Sequence, residues 1–498
     1  MALDTTRMKY HISTFGCQMN EADSQRLAAE LEKLGLQAAE TRDDADVLVL
    51  NTCVVRQSAE DKAYSYLQTL KPIKRRNPNA IIGVMGCLVG VRGNSPLQKA
   101  FPYVDVFMAP SDPAPMIDRL LQRDGRALAH AETQARFALQ DGDVALSGAP
   151  AYGLPALQRG QQVSAHIPIV YGCSHACTFC IIPYRRGVER SRPPGDIVAD
   201  VRAMVEQGVR EVTLLGQIVD RYGYDLLGTE YNIRGYNPGA ASGRPSQNIP
   251  LHAPLVGLFR LMSDIDGLER IRFLTSHPNW MTDELLDAVR EYPKVMPHIE
   301  VPVQAGDDEV LARMRRGYTA DDYRALIDRI RARVPGAGIA TDIIVGFCGE
   351  TERQFQNTYD LLEELKLDVI HIAQYSARPN TTASRNLVDD VPPDEKQRRF
   401  RALEDQQERI TARINARLQG QTVQVLVEDR HKGKWRGRTP GNKLVFFDDD
   451  ARDWRGQFVD VVIDWTGPWS MQGKLAGRNA DATAERAGLL APAAIPVH

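Results

Sequence analysis

The stretch Tyr171-Gly-Cys-Ser-His-Ala-Cys-Thr-Phe-Cys180 brings three cysteines, Cys173, Cys177 and Cys180, into one short loop. Its Cys-x3-Cys-x2-Cys spacing can place three thiolates around one 4Fe–4S cluster and leave the fourth iron without a protein ligand. An iron that is open in this way can hold a substrate or a cofactor. The alternative is a structural zinc site, for which His175 could be the fourth ligand.

This cysteine loop follows the first of six strand-like runs, which alternate with helical patterns such as 196–205 and 321–330. Six βα units in series predict a parallel sheet that curves into a partial barrel, with the active site at the carboxyl ends of its strands. The loop is therefore placed where chemistry is expected. The six runs are 165–171, 211–217, 270–276, 298–304, 338–346 and 369–376.

Three further cysteines, Cys17, Cys53 and Cys87, each end an apolar run rich in β-branched residues. Their separations of 36 and 34 residues suit a strand, a helix and the return to a parallel neighbour. Because parallel strands end at the same edge of a sheet, the three thiols are predicted to meet there and to hold a second 4Fe–4S cluster. The alternative is that each is an ordinary buried thiol.

Composition limits the class of protein. The chain has 498 residues, of which 43% are hydrophobic, enough for about three domains with real cores. A net charge of −3 argues against a protein that coats nucleic acid, so contact with a polyanion requires a local patch. We find no signal peptide, apolar run of about eighteen residues or lipidation motif, and expect a cytoplasmic monomer without a membrane segment. Seven cysteines, an odd number, fit a reducing compartment.

The predicted fold class is a multidomain α/β protein with an N-terminal parallel α/β domain, a partial (β/α)6 barrel and a small C-terminal β-barrel. The segment 221–250 is rich in Gly, Asn and Pro, and is either a lid or a disordered insertion. The predicted boundaries are 1–145 for the first domain, 146–163 for a linker, 164–392 for the barrel, 393–417 for a linker helix, 418–480 for the small β-barrel and 481–498 for a disordered tail.

A cationic run occupies residues 430–443, between the first strands of the small barrel, and contains six cations and no acid. Such a run can be only a solvated face of the protein. Its combination with an aromatic side chain, glycines and a barrel scaffold favours RNA binding, because RNA-binding modules pair phosphate-facing cations with an aromatic ring. The predicted RNA contacts are Lys434, Trp435, Arg436, Arg438 and Lys443.

Several ordered motifs carry a family resemblance that covers nearly the whole chain. They include Asn-Glu-Ala-Asp-Ser at 20–24, Thr-Ser-His-Pro at 275–278 and Pro-Trp-Ser at 468–470. With them, the chain resembles the radical S-adenosylmethionine (SAM) methylthiotransferases, and among these the MiaB-type tRNA enzymes. The other matching stretches are 14–19, 51–53, 86–87, 172–183, 186–187, 191–193, 215–217, 302–304, 314–319 and 342–346.

The resemblance implies an N-terminal cluster domain, a radical SAM partial barrel and a C-terminal TRAM domain. SAM would bind the open iron of the cluster on Cys173, Cys177 and Cys180 and would be both methyl donor and radical source. The cluster on Cys17, Cys53 and Cys87 would carry the sulfur, so all six cysteines are candidate catalytic residues. The implied SAM-site residues are Phe179, Gln217, Gln304, Asp342 and Gly346.

The implied reaction transfers a methylthio group to C2 of N6-isopentenyladenosine next to the tRNA anticodon. The implied partners are the anticodon stem-loop, a reductant such as flavodoxin or ferredoxin, and a sulfur donor. A sister activity is the alternative, acting on threonylcarbamoyladenosine in tRNA or on an aspartate of a ribosomal protein. A non-catalytic iron-sulfur regulator that binds RNA is a further alternative, and such a protein would not need a SAM pocket.

Two positions depart from the family pattern. The family usually has proline where this chain has Cys348, which we interpret as a buried spectator thiol, with a ligand role as the alternative. The usual Gly-Gln-Asn-Val-Asn reads Gly216-Gln-Ile-Val-Asp220, and this change puts one substrate-facing detail in doubt.

Overall fold

The computed structural model describes residues 8–55, 57–123, 153–227 and 253–476. The chain divides into two compact units, residues 1–407 and residues 408–498. The predicted boundary near residue 145, the tail 481–498 and most of the segment 221–250 lie outside the described residues. None of the helices in the described ranges is long and apolar enough to cross a membrane.

The N-terminal domain is a five-stranded parallel sheet with the strand order β2-β1-β3-β4-β5. All residues of β3 and β4 are buried, because helices cover both faces, and this burial explains their continuous apolar sequences. The strands are β1 Lys9–Phe15, β2 Gln37–Ala38, β3 Val47–Thr52, β4 Ile81–Gly86 and β5 Val106–Met108. The helices are α1 Gln18–Lys33, α2 Gln57–Arg76, α3 Ser95–Ala100 and α4 Ala114–Arg123.

The partial barrel is formed by two three-stranded parallel sheets, β6-β9-β10 and β11-β12-β13. Backbone hydrogen bonds join them where Ser276 N–H donates to Glu300 O and Met296 N–H donates to Ile271 O. The strands are β6 Ser164–Pro168, β9 Glu211–Leu215, β10 Arg270–Phe273, β11 His298–Glu300, β12 Gly338–Val345 and β13 Val369–Gln374. The prediction of six βα units in a partial barrel is confirmed.

Helices surround these strands and bury one continuous apolar core with them. They are α5 Ile182–Arg186, α6 Pro194–Glu206, α7 Pro254–Ser263, α8 Asp283–Glu291, α9 Asp308–Met314, α10 Ala320–Arg333, α11 Glu352–Leu365 and α12 Thr382–Asn386. The short strands β7 Val170–Tyr171 and β8 Arg190–Ser191 pair antiparallel and form the base of the cysteine loop.

Helix α13, Pro393–Ala416, precedes a closed barrel with the strand order β14-β15-β16-β18-β17. The sequence places the cationic run between strands, whereas in the structure the run contains the strand β15. The side chains of β15 alternate between a buried and a partly exposed face. The strands are β14 Thr422–His431, β15 Lys434–Arg438, β16 Leu444–Phe447, β17 Phe458–Thr466 and β18 Met471–Leu475.

Candidate active site

The structure brings Cys17, Cys53 and Cys87 together at the carboxyl edge of the N-terminal sheet. Phe15, Thr52 and Gly86 pair side by side at the ends of β1, β3 and β4. The same pairing continues into the cysteines, because Cys53 N–H donates to Phe15 O at 2.9 Å and Cys87 N–H donates to Thr52 O at 3.0 Å. The predicted convergence of the three thiols is thus present in the fold.

Two buried asparagines hold this edge in place. Asn20 donates to the Asn51 side chain at 2.8 Å, and Asn51 donates back to the Asn20 carbonyl at 2.8 Å and to Ser24 Oγ at 3.0 Å. The backbone of Gly86 has φ +100°, and a Cβ there would lie 2.5 Å from Asn51 Oδ1. These contacts explain why the motifs around Cys17 and Cys53 contain amides and why glycine precedes Cys87.

The thiols of the N-terminal triad are electrostatically coupled. A hydrogen bond with Cys53 lowers the pKa of Cys17 to about 6, assisted by the positive charge of Arg186 and by backbone N–H groups at the start of α1. Contact with Cys53 and the charge of Arg186 also lower the pKa of Cys87, to about 7. The pKa of Cys53 is raised by its hydrogen bonds with the other two thiols. The triad therefore carries thiolate character near neutral pH, as metal ligands require.

The second triad lies in the loop between β7 and α5. Cys173 N–H donates to Gly187 O, and the loop is anchored to α9 by Thr178, whose hydroxyl donates to Arg313 O at 2.8 Å. Gly172 has φ +69°, and a Cβ there would lie 2.1 Å from Val188 O, so this turn requires glycine.

Arg316, which is buried, donates to Cys177 Sγ at 3.2 Å and is held by Tyr318 and the Pro302 carbonyl. Burial, with a smaller effect of the neighbouring thiols Cys177 and Cys87, raises the pKa of Cys180 to about 12. The segments that follow the two groups of cysteines are in contact, because Val91 N–H donates to Arg185 O at 2.9 Å. All seven cysteines are free thiols, and three partly buried thiols next to a guanidinium suit a cationic iron-sulfur group that displaces their protons.

The predicted alternative ligand His175 faces a different partner. Its Nε2 accepts a hydrogen bond from Trp280 Nε1–H at 3.3 Å, and its ring lies 4.6 Å from that of His277. Arg221 stacks on Trp280 at 4.7 Å. This arrangement assigns His175 to the packing beneath the loop. Within the described residues, no group of three or more His, Cys, Asp or Glu side chains is arranged to hold one metal ion.

Asp220, which with Ile218 departs from the family pattern, is also in this packing layer. Only 1% of it is exposed, and both of its carboxyl oxygens accept from His277 N–H at 3.1 Å. Burial raises its pKa to about 8, so the carboxyl is protonated at neutral pH. Ile218, the other departing residue, is buried as well, at 6% exposed, so both side chains are enclosed by protein, and their bearing on a substrate-facing detail stays a prediction.

The implied SAM-site residues lie at the strand ends of the barrel. Gln217 follows β9 and Asp342 is within β12. Gln304 has φ +76° and its N–H donates to Asp342 O at 2.9 Å. Phe179 packs edge-on against Phe347. Gly346 has φ +69°, and a Cβ there would lie 2.3 Å from the Lys396 side chain, so its role is to allow close packing.

Sequence reasoning did not single out Glu300, which ends β11 beside the same strand ends. Burial raises its pKa to about 7, assisted by the negative charge of Asp342, and Thr275 Oγ1 donates to it at 3.4 Å. Thr275 has φ +67°, a strained conformation for a β-branched residue. A carboxyl whose pKa is raised by burial, beside strained backbone, makes Glu300 a candidate functional residue.

Cys348 is buried in the barrel core, in the same apolar cluster as Tyr375. Both residues pack with Phe347, whose ring lies 5.0 Å from that of Tyr375. The structure thus places Cys348 among core side chains.

The structure differs from the predicted RNA surface in the position of Trp435. Trp435 is only 5% exposed and packs in the core of the small barrel, with its indole N–H donating to Asp449 O. This burial contradicts the expectation that its ring is available to stack on a base. The exposed tryptophans of this barrel are Trp465 and Trp469, at 48% and 61%.

The cations on the outer face of β15 pair with acids of neighbouring segments. Arg436 is paired with Asp429 by a two-pronged contact, Lys434 with Asp448 at 3.2 Å and Arg438 with Glu428 at 3.3 Å. Lys443 lies in the turn that follows β15. The acid-free run in the sequence is thus partly neutralised across strands.

Comparison with known proteins extends over all of these regions. The chain matches the uncharacterized protein family UPF0004 over residues 9–109, the radical SAM superfamily over residues 167–362 and the TRAM domain over residues 416–476. It is 46% identical to a tRNA-2-methylthio-N(6)-dimethylallyladenosine synthase from Roseiflexus sp. (strain RS-1), covering 94% of this chain and 90% of that protein. A protein of the same name from Chloroflexus aurantiacus is 45% identical, with coverage of 93% and 91%.

Among solved structures, the radical SAM methyltransferase TsrM from Kitasatospora setae has a TM-score of 0.49 at 14% identity, over 76% of this chain and 75% of that chain.

Proposed function

Because the chain belongs to the family of tRNA-2-methylthio-N(6)-dimethylallyladenosine synthases, we propose that it transfers a methylthio group to C2 of N6-isopentenyladenosine next to the tRNA anticodon. The observation that carries the proposal is the convergence of two three-cysteine groups from two domains on one region. One cysteine triad would suffice for radical generation alone. A second triad beside it supplies a place for the transferred sulfur.

Cys173, Cys177 and Cys180 are the proposed ligands of the 4Fe–4S cluster that binds SAM. When bound, this group would supply the electron that cleaves SAM to methionine and a 5′-deoxyadenosyl radical. The protein contributes orientation and exclusion of water. Arg316 offsets the negative charge of the Cys177 thiolate, and the packing of His175 against Trp280 fixes the path of the loop.

The strand-end residues Gln217, Gln304 and Asp342, with Phe179 beside the cysteines, are the proposed SAM contacts. Glu300 joins this set, because its carboxyl lies next to Asp342 and has a pKa near neutral. A protonated Glu300 can donate a hydrogen bond, whereas Asp342 and the glutamine carbonyls can accept from ribose or ammonium groups. Gly346 supports the site by admitting the backbone close to Lys396.

Cys17, Cys53 and Cys87 are the proposed ligands of a second 4Fe–4S cluster, which would hold the sulfur delivered by a separate sulfur donor. A reductant such as flavodoxin or ferredoxin is the proposed electron source. The substrate base has to leave the stack of the anticodon loop to reach both triads, and loop bases do so at low cost because they are only partly stacked. The small barrel is the proposed contact for the tRNA stem-loop, by analogy with other small RNA-binding barrels.

The test is mass spectrometry of nucleosides from tRNA treated with the purified enzyme under anaerobic conditions. We expect tRNA carrying N6-isopentenyladenosine to gain the 2-methylthio group and unmodified tRNA to remain nearly unchanged. Cys17→Ala with Cys53→Ala should retain cleavage of SAM, seen as 5′-deoxyadenosine, and transfer no sulfur. Product only on threonylcarbamoyladenosine, or on a ribosomal protein, would overturn the proposal in favour of a sister activity.

A further inference from the structure

Arg186 is a cation of the barrel domain that is buried against the N-terminal domain. It is the last residue of α5, six positions after Cys180, and its side chain is 2% exposed. Both terminal nitrogens lie 3.4 Å from Asp23 Oδ2, and Nη1 also lies 3.4 Å from Ser111 Oγ. Asp23 belongs to α1, the helix that begins directly after Cys17.

The guanidinium lies beside the loop that carries Cys87. The adjacent Arg185 carbonyl accepts from Val91 N–H at 2.9 Å, which places the end of α5 against the segment that follows Cys87. Beside their contacts with Cys53, the positive charge of Arg186 helps to lower the pKa of Cys87 and of Cys17. Charge-assisted pairs of arginine with carboxylate usually have separations of about 2.7–2.9 Å, so the contacts with Asp23 are long. The guanidinium is thus held by long contacts, against the helix that begins directly after Cys17.

This location matters because the N-terminal site concentrates negative charge. Cys53, Cys87 and Asp23 are buried and Cys17 is exposed, and a cluster bound by the three thiolates, with a further anionic sulfur ligand, would concentrate negative charge beside Asp23. In a buried site, the interaction of such charges with one cation is much stronger than in water. Net charge and hydrogen bonds to cysteine sulfur are also among the factors that set the reduction potential of iron-sulfur sites.

We propose that Arg186 is a positioning residue of the N-terminal three-cysteine site, where its guanidinium holds the anionic sulfur ligands and raises the reduction potential of the group they bind. This inference rests on the proposed function, because it assumes that the triad of Cys17, Cys53 and Cys87 holds an iron-sulfur cluster. It makes the barrel domain part of the sulfur-carrying site of the other domain. Isolated N-terminal domains would lack this cation.

The experiment uses the full chain with Cys173, Cys177 and Cys180 replaced by Ala, so that only the N-terminal site can bind a cluster. Into this background we introduce Arg186→Gln, which removes the charge, and Arg186→Lys, which keeps it. Arg185→Gln, at the adjacent partly buried position, is the matched control. Iron per chain and the reduction potential, followed by electron paramagnetic resonance, are measured for each protein after anaerobic reconstitution.

We expect the potential to shift to more negative values in Arg186→Gln, to shift less in Arg186→Lys and to remain unchanged in Arg185→Gln. Loss of iron from Arg186→Gln with retention in Arg186→Lys would also support the role of the charge. Equal potentials in all four proteins, or loss of iron from both Arg186 variants, would overturn it. Absence of iron from the starting background would instead reject the second cluster, and with it part of the proposed function.

Discussion

Arg378 of the barrel and Glu60 of the N-terminal domain form an ion pair across the junction of these domains, although 318 positions separate them in the chain. The Arg378 side chain is 3% exposed and also donates to Gln57 at 2.5 Å. Glu60 lies in the first turn of α2, the helix that follows Cys53. Like the pair Arg186 and Asp23, this ion pair is one of several contacts that join the two cysteine-bearing domains, and Arg26 with Tyr171 is another.

Breaking this junction should destabilise the protein. Arg378→Ala leaves Glu60 without its partner in a partly buried site, and we expect a loss of about 2–4 kcal/mol in the free energy of unfolding. Arg324→Ala, which removes an exposed pair with Glu364, is the control and should cost less than about 1 kcal/mol. Anaerobic denaturant titrations measure both. Equal effects would mean that the junction is held by other contacts.

Iron content tests the two-cluster arrangement. The reconstituted wild-type protein should hold about eight irons, because each triad anchors one 4Fe–4S cluster. Replacing either triad by Ala should reduce this number to about four. Cys348→Ala is the matched control, because this cysteine lies in the barrel core, and it should leave iron unchanged. Four irons in the wild-type protein would be incompatible with two clusters.

Because the cations of the run at 430–443 are paired with acids, the RNA surface can be tested either by neutralising the cations or by neutralising their acidic partners. Neutralising Lys434, Arg436, Arg438 and Lys443 should weaken tRNA binding by about tenfold or more and flatten its salt dependence, because phosphate contacts release counterions. Replacing their partners, by Asp429→Asn with Asp448→Asn, should tighten binding and steepen the salt dependence. Filter binding at several salt concentrations measures both. If neither set of substitutions changes the affinity for tRNA, residues 430–443 form only a solvated face of the barrel.

Asp220 should make stability depend on pH. Burial raises its pKa to about 8 in the folded protein, whereas an unfolded Asp ionises near 3.9. The protonated carboxyl therefore favours folding fully below about pH 4, and this contribution is lost as the pH rises towards about 8. The side chain in Asp220→Asn cannot ionise. The free energy of unfolding of this variant should therefore rise relative to that of the wild-type protein by about 1.4 kcal/mol per pH unit between these two pH values.

Denaturation midpoints of the wild-type and Asp220→Asn proteins at pH 6, 7, 8 and 9 provide the measurement. The difference in stability between Asp220→Asn and the wild-type protein should increase up to about pH 8 and stay constant above it. Asp264→Asn, on an exposed side chain, is the control for the same chemical change. A difference that is constant over this range would show that Asp220 does not titrate within it.

Much of the site could be predicted from the sequence, because the motifs that form it are short and continuous in the chain. Strand ends are marked by apolar β-branched runs, and parallel pairing then determines that Cys17, Cys53 and Cys87 meet. Arg186 and Arg378 could not be assigned in this way. Their partners lie in another domain, and a lone arginine has the same appearance in sequence whether it is exposed or buried.

The error over Trp435 has a different origin. The segment Lys434-Trp-Arg-Gly-Arg438 alternates polar and small or apolar residues, which is the pattern of a half-buried strand. Interpreted with period two, Trp435 points to the same side as Gly437, into the barrel. The acids that pair with the cations stand on β14 and after β16, so only the cross-strand register reveals them.

The chain positions of the two triads also have a consequence for biogenesis. Cys173, Cys177 and Cys180 lie within eight consecutive residues, so they can approach one another without any pairing of distant strands. Cys17, Cys53 and Cys87 become neighbours only once β1, β3 and β4 have paired in register. Under the proposal of one cluster for each triad, the N-terminal cluster would assemble only after these strands have paired, whereas the cluster of the loop would not depend on that pairing.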